Sequence, residues 1–68
     1  MIHVFIVTHD GGSEEIRDEQ DALHLYERKA LEDSYVQLRD TVYEDEIAYN
    51  DGDYPIEDYV VYETRRDF

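Results

Sequence analysis

Between Asp40 and Glu63 the chain reads DTVYEDEIAYNDGDYPIEDYVVYE, with no Lys, Arg or His. Its acids are Asp40, Glu44, Asp45, Glu46, Asp51, Asp53, Glu57, Asp58 and Glu63, and among them stand Tyr43, Tyr49, Tyr54, Tyr59 and Tyr62. Val42, Ile47, Ile56, Val60 and Val61 supply apolar, β-branched surface between the charges. A stretch this apolar and β-prone is not a disordered acidic tail. It is also too negative for an ordinary solvated surface. The sequence therefore predicts a folded element that displays ordered negative charge.

The whole chain has 68 residues, 19 acidic against 6 basic, and a formal net charge of −13. One small domain is expected, and such a domain buries a modest fraction of its surface. Cysteine is absent, which rules out disulfide bracing and thiolate metal sites. Small cores without a staple are commonly completed by oligomerisation, so a homodimer is expected. The opening MIHVFIVTHD lacks the basic region and cleavage site of a signal peptide, and no apolar run is long enough to span a bilayer. A cytoplasmic location is the expectation. The charge disfavours contact with nucleic acid or anionic membranes and favours basic proteins and cations.

Ile2 to Thr8 is almost continuously apolar and β-branched, as a buried central strand would be, with His3 on its less buried face. His9-Asp10-Gly11-Gly12 reads as a turn. The His-Asp pair lacks the further ligands of a metal-dependent phosphohydrolase. The glycines lack the Lys and spacing of a phosphate-binding loop. Ser13 is placed to cap a helix running to about Asp33, with Glu14 and Glu15 at its positive end. On that helix Ile16, Ala22, Leu23, Tyr26, Ala30 and Leu31 form the expected core stripe. Glu14, Asp18, Asp21 and Glu32 form an acidic ridge. Leu25 falls on that ridge, either as a stray exposed leucine or as an apolar anchor for a partner. Arg17, Arg28 and Lys29 read as surface partners of neighbouring acids, and His24 as solvent-facing.

Residues 35–43 fit both strand and helix spacing. The preferred reading is a strand at 35–39, a break near Asp40, and a second strand at 41–49. Asp51-Gly52 then makes a two-residue hairpin loop leading to a last strand at 56–64, with Pro55 before it and a short tail from Arg65. That hairpin would set Tyr49 opposite Tyr54, Ile47 opposite Ile56, Tyr43 opposite Val60 and Val42 opposite Val61. It would also set Asp45 opposite Asp58 and Glu46 opposite Glu57. Like charges in direct opposition are unfavourable, so two adjacent pairs would point to function rather than stability. The expected fold is α+β in the order β-α-β-β-β, one helix packed on a small, mostly antiparallel sheet.

For the chemistry, no Cys nucleophile, G-x-S-x-G elbow or H-E-x-x-H motif is present, and the chain is too short for an elaborate substrate cleft. An enzyme is not expected, and neither is a cofactor. Asp51, Asp53, Glu57 and Asp58 offer hard oxygen ligands without the spacing of a calcium-binding EF-hand loop, so no metal site is assigned. A salt-adapted surface would explain the single lysine, but not the clustering of acids with tyrosines. The remaining class is a binding protein that imitates nucleic acid, whose duplex carries one negative charge per about 1.7 Å of axis.

In compactness, lack of cysteine, dense Asp and Glu and interspersed Tyr, the chain resembles the small acidic proteins that bacteriophages make to disable host factors. Those proteins include DNA-mimicking inhibitors of restriction enzymes, uracil-DNA glycosylase, CRISPR effectors and the nucleoid protein HU. In size and charge it is most similar to the HU inhibitors. The resemblance is one of overall character along the whole chain, not of an aligned motif, and it transfers no residue. It implies competitive blocking of DNA binding, commonly by a homodimer. On the residues themselves, Glu44, Asp45, Glu46, Glu57 and Asp58 are the first candidates for contacting a basic DNA-binding protein. Asp18 and Asp21 follow, with Leu25 as the possible anchor. The alternative is an acidic structural or cation-binding domain without mimicry.

Overall fold

The apolar run near the N-terminus forms strand β1 (Ile2–His9), in which Val4 and Val7 are wholly buried. The computed structural model describes residues 1–66. After β1 come β2 (Gly12–Ile16), α1 (Glu19–Glu32), β3 (Tyr35–Tyr43), the short helix α2 (Glu46–Asn50) and β4 (Glu57–Arg65). The four strands make one antiparallel sheet in the order β2-β1-β3-β4. The fold is α+β, with one main helix packed on an antiparallel sheet.

The element order differs from β-α-β-β-β at two places. Ser13, expected to cap a helix, lies instead in β2, which turns back on β1 through a tight Asp10-Gly11 loop with His9 opposite Gly12. GSEEI is a poor strand former by composition, but the free edge of β1 supplies partners for its backbone. Its side chains are tied as well, Ser13 Oγ lying 3.1 Å from Thr8 Oγ1 and Glu14 Oε2 3.0 Å from His9 Nε2. Gly12 has φ +135°, a conformation that a Cβ would strain.

The second departure is at 41–49, where no separate strand forms. β3 runs unbroken through Asp40 to Tyr43. Asp45 then caps α2, its Oδ1 accepting the Ala48 amide at 2.8 Å. Asp51-Gly52 closes that helix rather than turning a hairpin. Gly52 has φ +78°, as helix C-terminal glycines commonly do. β4 consequently pairs with β3 in another register, with Val42 opposite Glu57, Thr41 opposite Asp58 and Asp40 opposite Tyr59. None of the pairs that the hairpin would have set forms. That includes the two like-charge pairs, so the argument resting on them falls away.

Asp18 is the N-cap of α1, its Oδ1 accepting the Asp21 amide at 3.0 Å. The helix starts at Glu19, leaving Ile16 in β2, and its buried face keeps Ala22, Leu23, Tyr26 and Ala30 of the expected stripe but takes in Leu25 and leaves out Leu31. Leu25 is only 8% exposed and belongs to the core, whereas Leu31 is 75% exposed. Leu25 is therefore no surface anchor. Ala22, Leu25, Phe5, Val7, Val36 and Leu38 form the central cluster, flanked by Ile16, Leu23, Tyr26 and Ala30. Each fully buried Val or Leu contributes about 1.5–3 kcal/mol relative to exposure. His24 is exposed as expected, while Tyr54, expected to pack in the sheet, is 95% exposed. Arg65 belongs to β4, and the last two residues of the expected tail lie outside the described residues.

Candidate interaction surface and the cleft beside it

The register fixes two ends of the molecule. Ile2, Tyr43 and Glu57 lie at one, beside α2, and His9, Val36 and Arg65 lie at the other. The turns and helix of the first end contribute Glu44, Asp45, Glu46, Asp51 and Asp53, and β4 begins there with Glu57 and Asp58. The start of α1 is turned the same way. Arg17 binds Glu46, and Glu19 borders the same cleft as His3 and Tyr59, which brings Asp18 and Asp21 to this half.

The basic residues follow a different distribution. Arg28 and Lys29 sit near the end of α1, and Arg65 and Arg66 at the end of β4 and just past it. Arg66 meets the α1–β3 turn, its amide donating to Ser34 O at 2.8 Å. Arg17 and Arg39 are the cations nearer the acidic half, and both are bound. Arg17 forks onto Glu46 at 2.5 and 3.0 Å and lies 4.5 Å from the Tyr49 ring centroid. Arg39 binds Asp58, with Nε 3.1 Å from Oδ1. The charge is therefore segregated along the long axis.

The sequence candidates sort by what their side chains do. Glu44, Glu57 and Asp21 are exposed and, among the described residues, have no basic partner. Asp18 and Asp45 are exposed and cap the two helices, each through its Oδ1. Glu46 and Asp58 are held in ion pairs, and the hydrogen bonds from Arg17 keep the Glu46 carboxyl below its ordinary pKa. The same contact raises the Arg17 guanidinium above its ordinary value. Tyr49 donates to Glu15 Oε2 at 2.7 Å, which raises the phenol pKa. Glu19, Asp51 and Asp53, outside the contact set expected from sequence, are exposed on the same half.

A second arrangement went unread in the sequence. Asp40 is 5% exposed and accepts hydrogen bonds from Tyr59 OH at 2.8 Å and from His3 Nδ1 at 3.0 Å to each carboxylate oxygen. The bond to Asp40 raises the Tyr59 phenol pKa. The signal was available, because Asp40 stands in the same alternation as the buried Val36, Leu38 and Val42. A carboxylate at a core position needs partners, and this one has two, His3 and Tyr59. The group lines a cleft of about 540 Å³ between α1 and β4, with Phe5, Leu23 and Leu38 as apolar floor.

Among the described residues no group of three or more His, Cys, Asp or Glu is disposed to hold a metal ion. No helix of the described residues is long and apolar enough to cross a membrane. No family model, no curated protein and no solved structure matches the chain.

Proposed function

We propose that this chain is a non-enzymatic DNA-mimic inhibitor that occupies the DNA-binding surface of a basic protein, the nucleoid protein HU being the favoured target. The observation that carries the reading is the segregation of charge. Unpaired carboxylates gather around α2, the start of β4 and the start of α1, while the cations of that half are already neutralised by acids. A salt-adapted surface would spread its acids without such polarity.

Magnitudes support the comparison with nucleic acid. Residues 1–66 carry 18 acidic and 6 basic side chains, a net −12, and the Cα atoms extend 41 × 19 × 18 Å. Averaged over the long axis this is one net charge per about 3.4 Å, the spacing along a single DNA strand; a duplex carries twice that density. Concentration at one end raises the local value above the average. A homodimer joining two acidic halves would approach the duplex value.

Glu44, Glu57, Asp21, Asp51 and Asp53 present free carboxylates to Lys and Arg of the partner. Asp18, Asp45, Glu46 and Asp58 contribute to the field while serving the fold. Encounter would be electrostatically steered and strongly salt-dependent. The test is association with purified HU at increasing salt, with duplex DNA as competitor. Binding that DNA displaces, and that the double variant Glu44→Lys, Asp53→Lys slows by about an order of magnitude at low salt, supports the decoy. Binding indifferent to DNA and to these substitutions rejects it.

A further inference from the structure

An α-helix with its side chains is about 10–12 Å across, and strands lie about 4.8 Å apart, so one helix covers little more than two strands. α1 lies over β1 and β3 and reaches β4 through Tyr26, which meets the Tyr62 ring and the Thr64 hydroxyl, leaving the stretch before Tyr62 open. Tyr59, Val60, Val61 and Tyr62 are 50, 48, 38 and 52% exposed, in a domain that has little apolar surface to spare.

A bulge sharpens this. Leu38 is opposite Tyr62 and Arg39 is opposite Val60, so Val61 is the extra residue of β4. In a regular strand Val61 and Tyr62 would point to opposite faces. Here both line the cleft beside α1, together with Tyr59. Bulges re-aim side chains next to functional sites, and this one adds Val61, which lies outside the core cluster, to a wall that Tyr62 shares with Tyr26 of α1.

We propose that the groove between α1 and β4 receives the apolar face of a short, basic amphipathic helix belonging to the protein partner. This rests on the partner-binding reading above and names the shape of what is bound. Three observations select the occupant. The volume of about 540 Å³ suits a few anchoring side chains, as in helix-in-groove recognition. Glu19 and Asp40 line the groove and Glu57 acts on Tyr59 from nearby, while Arg17 is already held by Glu46. The field therefore calls for cations around the apolar anchors. The bulge also interrupts the outer edge of β4, which disfavours an added strand and leaves a helix as the matching form.

The experiment uses three fluorescently labelled synthetic peptides. One has Leu at helical i, i+3, i+4 and i+7 spacing with Lys elsewhere, one is its scramble, and one has Glu in place of Lys. The patterned Leu/Lys peptide should bind at least about tenfold more tightly than the scramble, and the Leu/Glu peptide should not bind. Val61→Lys should weaken the first peptide about tenfold and Val61→Thr less, with circular dichroism and melting showing both variants folded. Equal binding of patterned and scrambled peptides overturns the groove, as does an unaffected Val61→Lys. A dimer in sedimentation that Val61→Lys dissolves overturns it too, because the occupant would be a second copy. If Val61→Lys leaves DNA-displaceable binding of HU intact while Glu44→Lys, Asp53→Lys slows it by about an order of magnitude, the groove falls and the decoy stands.

Discussion

Asp40 stands directly across the β3–β4 ladder from Tyr59, and its buried carboxylate accepts the Tyr59 hydroxyl at 2.8 Å while His3 holds it from the β1 side. Three strands are thus pinned by one acid. Asp40→Ala removes the acceptor of both donors and opens space behind them. The expected loss is about 1–3 kcal/mol, or a melting temperature lower by roughly 4–20 °C for a domain of this size. Tyr59→Phe deletes one bond and should cost clearly less. Equal melting of Asp40→Ala and the parent protein would show that the carboxylate holds nothing.

The phase of α1 makes a sharper contrast between two leucines. Leu25 lies in the central cluster at 8% exposure, while Leu31 is 75% exposed. Leu25→Ala should destabilise by about 2–5 kcal/mol, and Leu31→Ala should stay within about 0.5 kcal/mol. Urea midpoints at unchanged slope would report both. The opposite ranking would put Leu31 in the core and Leu25 on the acidic ridge, the placement expected from sequence.

That placement shows where reading the sequence succeeds and where it stops. β1 was legible because Ile2 to Thr8 is apolar throughout, and a single main helix against an antiparallel sheet followed from the patterning. The place where acids accumulate was also legible. Most of the helix stripe was legible too, since Ala22, Leu23, Tyr26 and Ala30 all reach the core, but its start was not, because the cap, Asp18, sits in a run where several acids and a serine could all cap. β2 was missed because GSEEI gains strand structure only from its neighbour. Of the two Asp-Gly pairs, the first turns the chain as expected and only the second departs from its expected role. Asp10-Gly11 turns the hairpin and Asp51-Gly52 ends a helix, since glycine suits both. Asp45 followed by Glu46 carried a helix-start signal that alternating Tyr and Ile residues masked.

Two tyrosines should ionise late. Hydrogen bonds to Glu15 and Asp40 raise the phenols of Tyr49 and Tyr59 above the ordinary value of 10.0. A group whose folded pKa is raised contributes stability below its unfolded pKa and loses it as pH climbs through the folded value. Stability should accordingly fall above about pH 10. Absorbance at alkaline pH should show a late fraction, present in the folded protein, absent in urea, and diminished in Tyr49→Phe and Tyr59→Phe. A single transition for all 7 tyrosines in the folded state would contradict these bonds.

The acid limb has the opposite sign. Asp10, Glu46 and Glu63 have carboxyls held below their ordinary pKa, Asp10 by the Ser34 amide and hydroxyl, Glu46 by Arg17, and Glu63 by Arg65 and Gln37. Depressed carboxyl pKa values supply stability above the unfolded value, and that stability is lost as pH falls through the folded one. Stability should therefore be lost as pH falls below about 4.5, the ordinary glutamate value from which Glu46 and Glu63 are depressed. At pH 7 salt should raise stability in a chain of net charge −13, because it screens exposed like charges over a Debye length of about 8–10 Å while leaving the buried core untouched. Melting in low and moderate salt at pH 7 is the check. A rise with salt that largely disappears in Glu44→Gln, Asp53→Gln identifies the α2 end as the seat of the repulsion. A flat response would mean that its carboxylates lie too far apart to form one field.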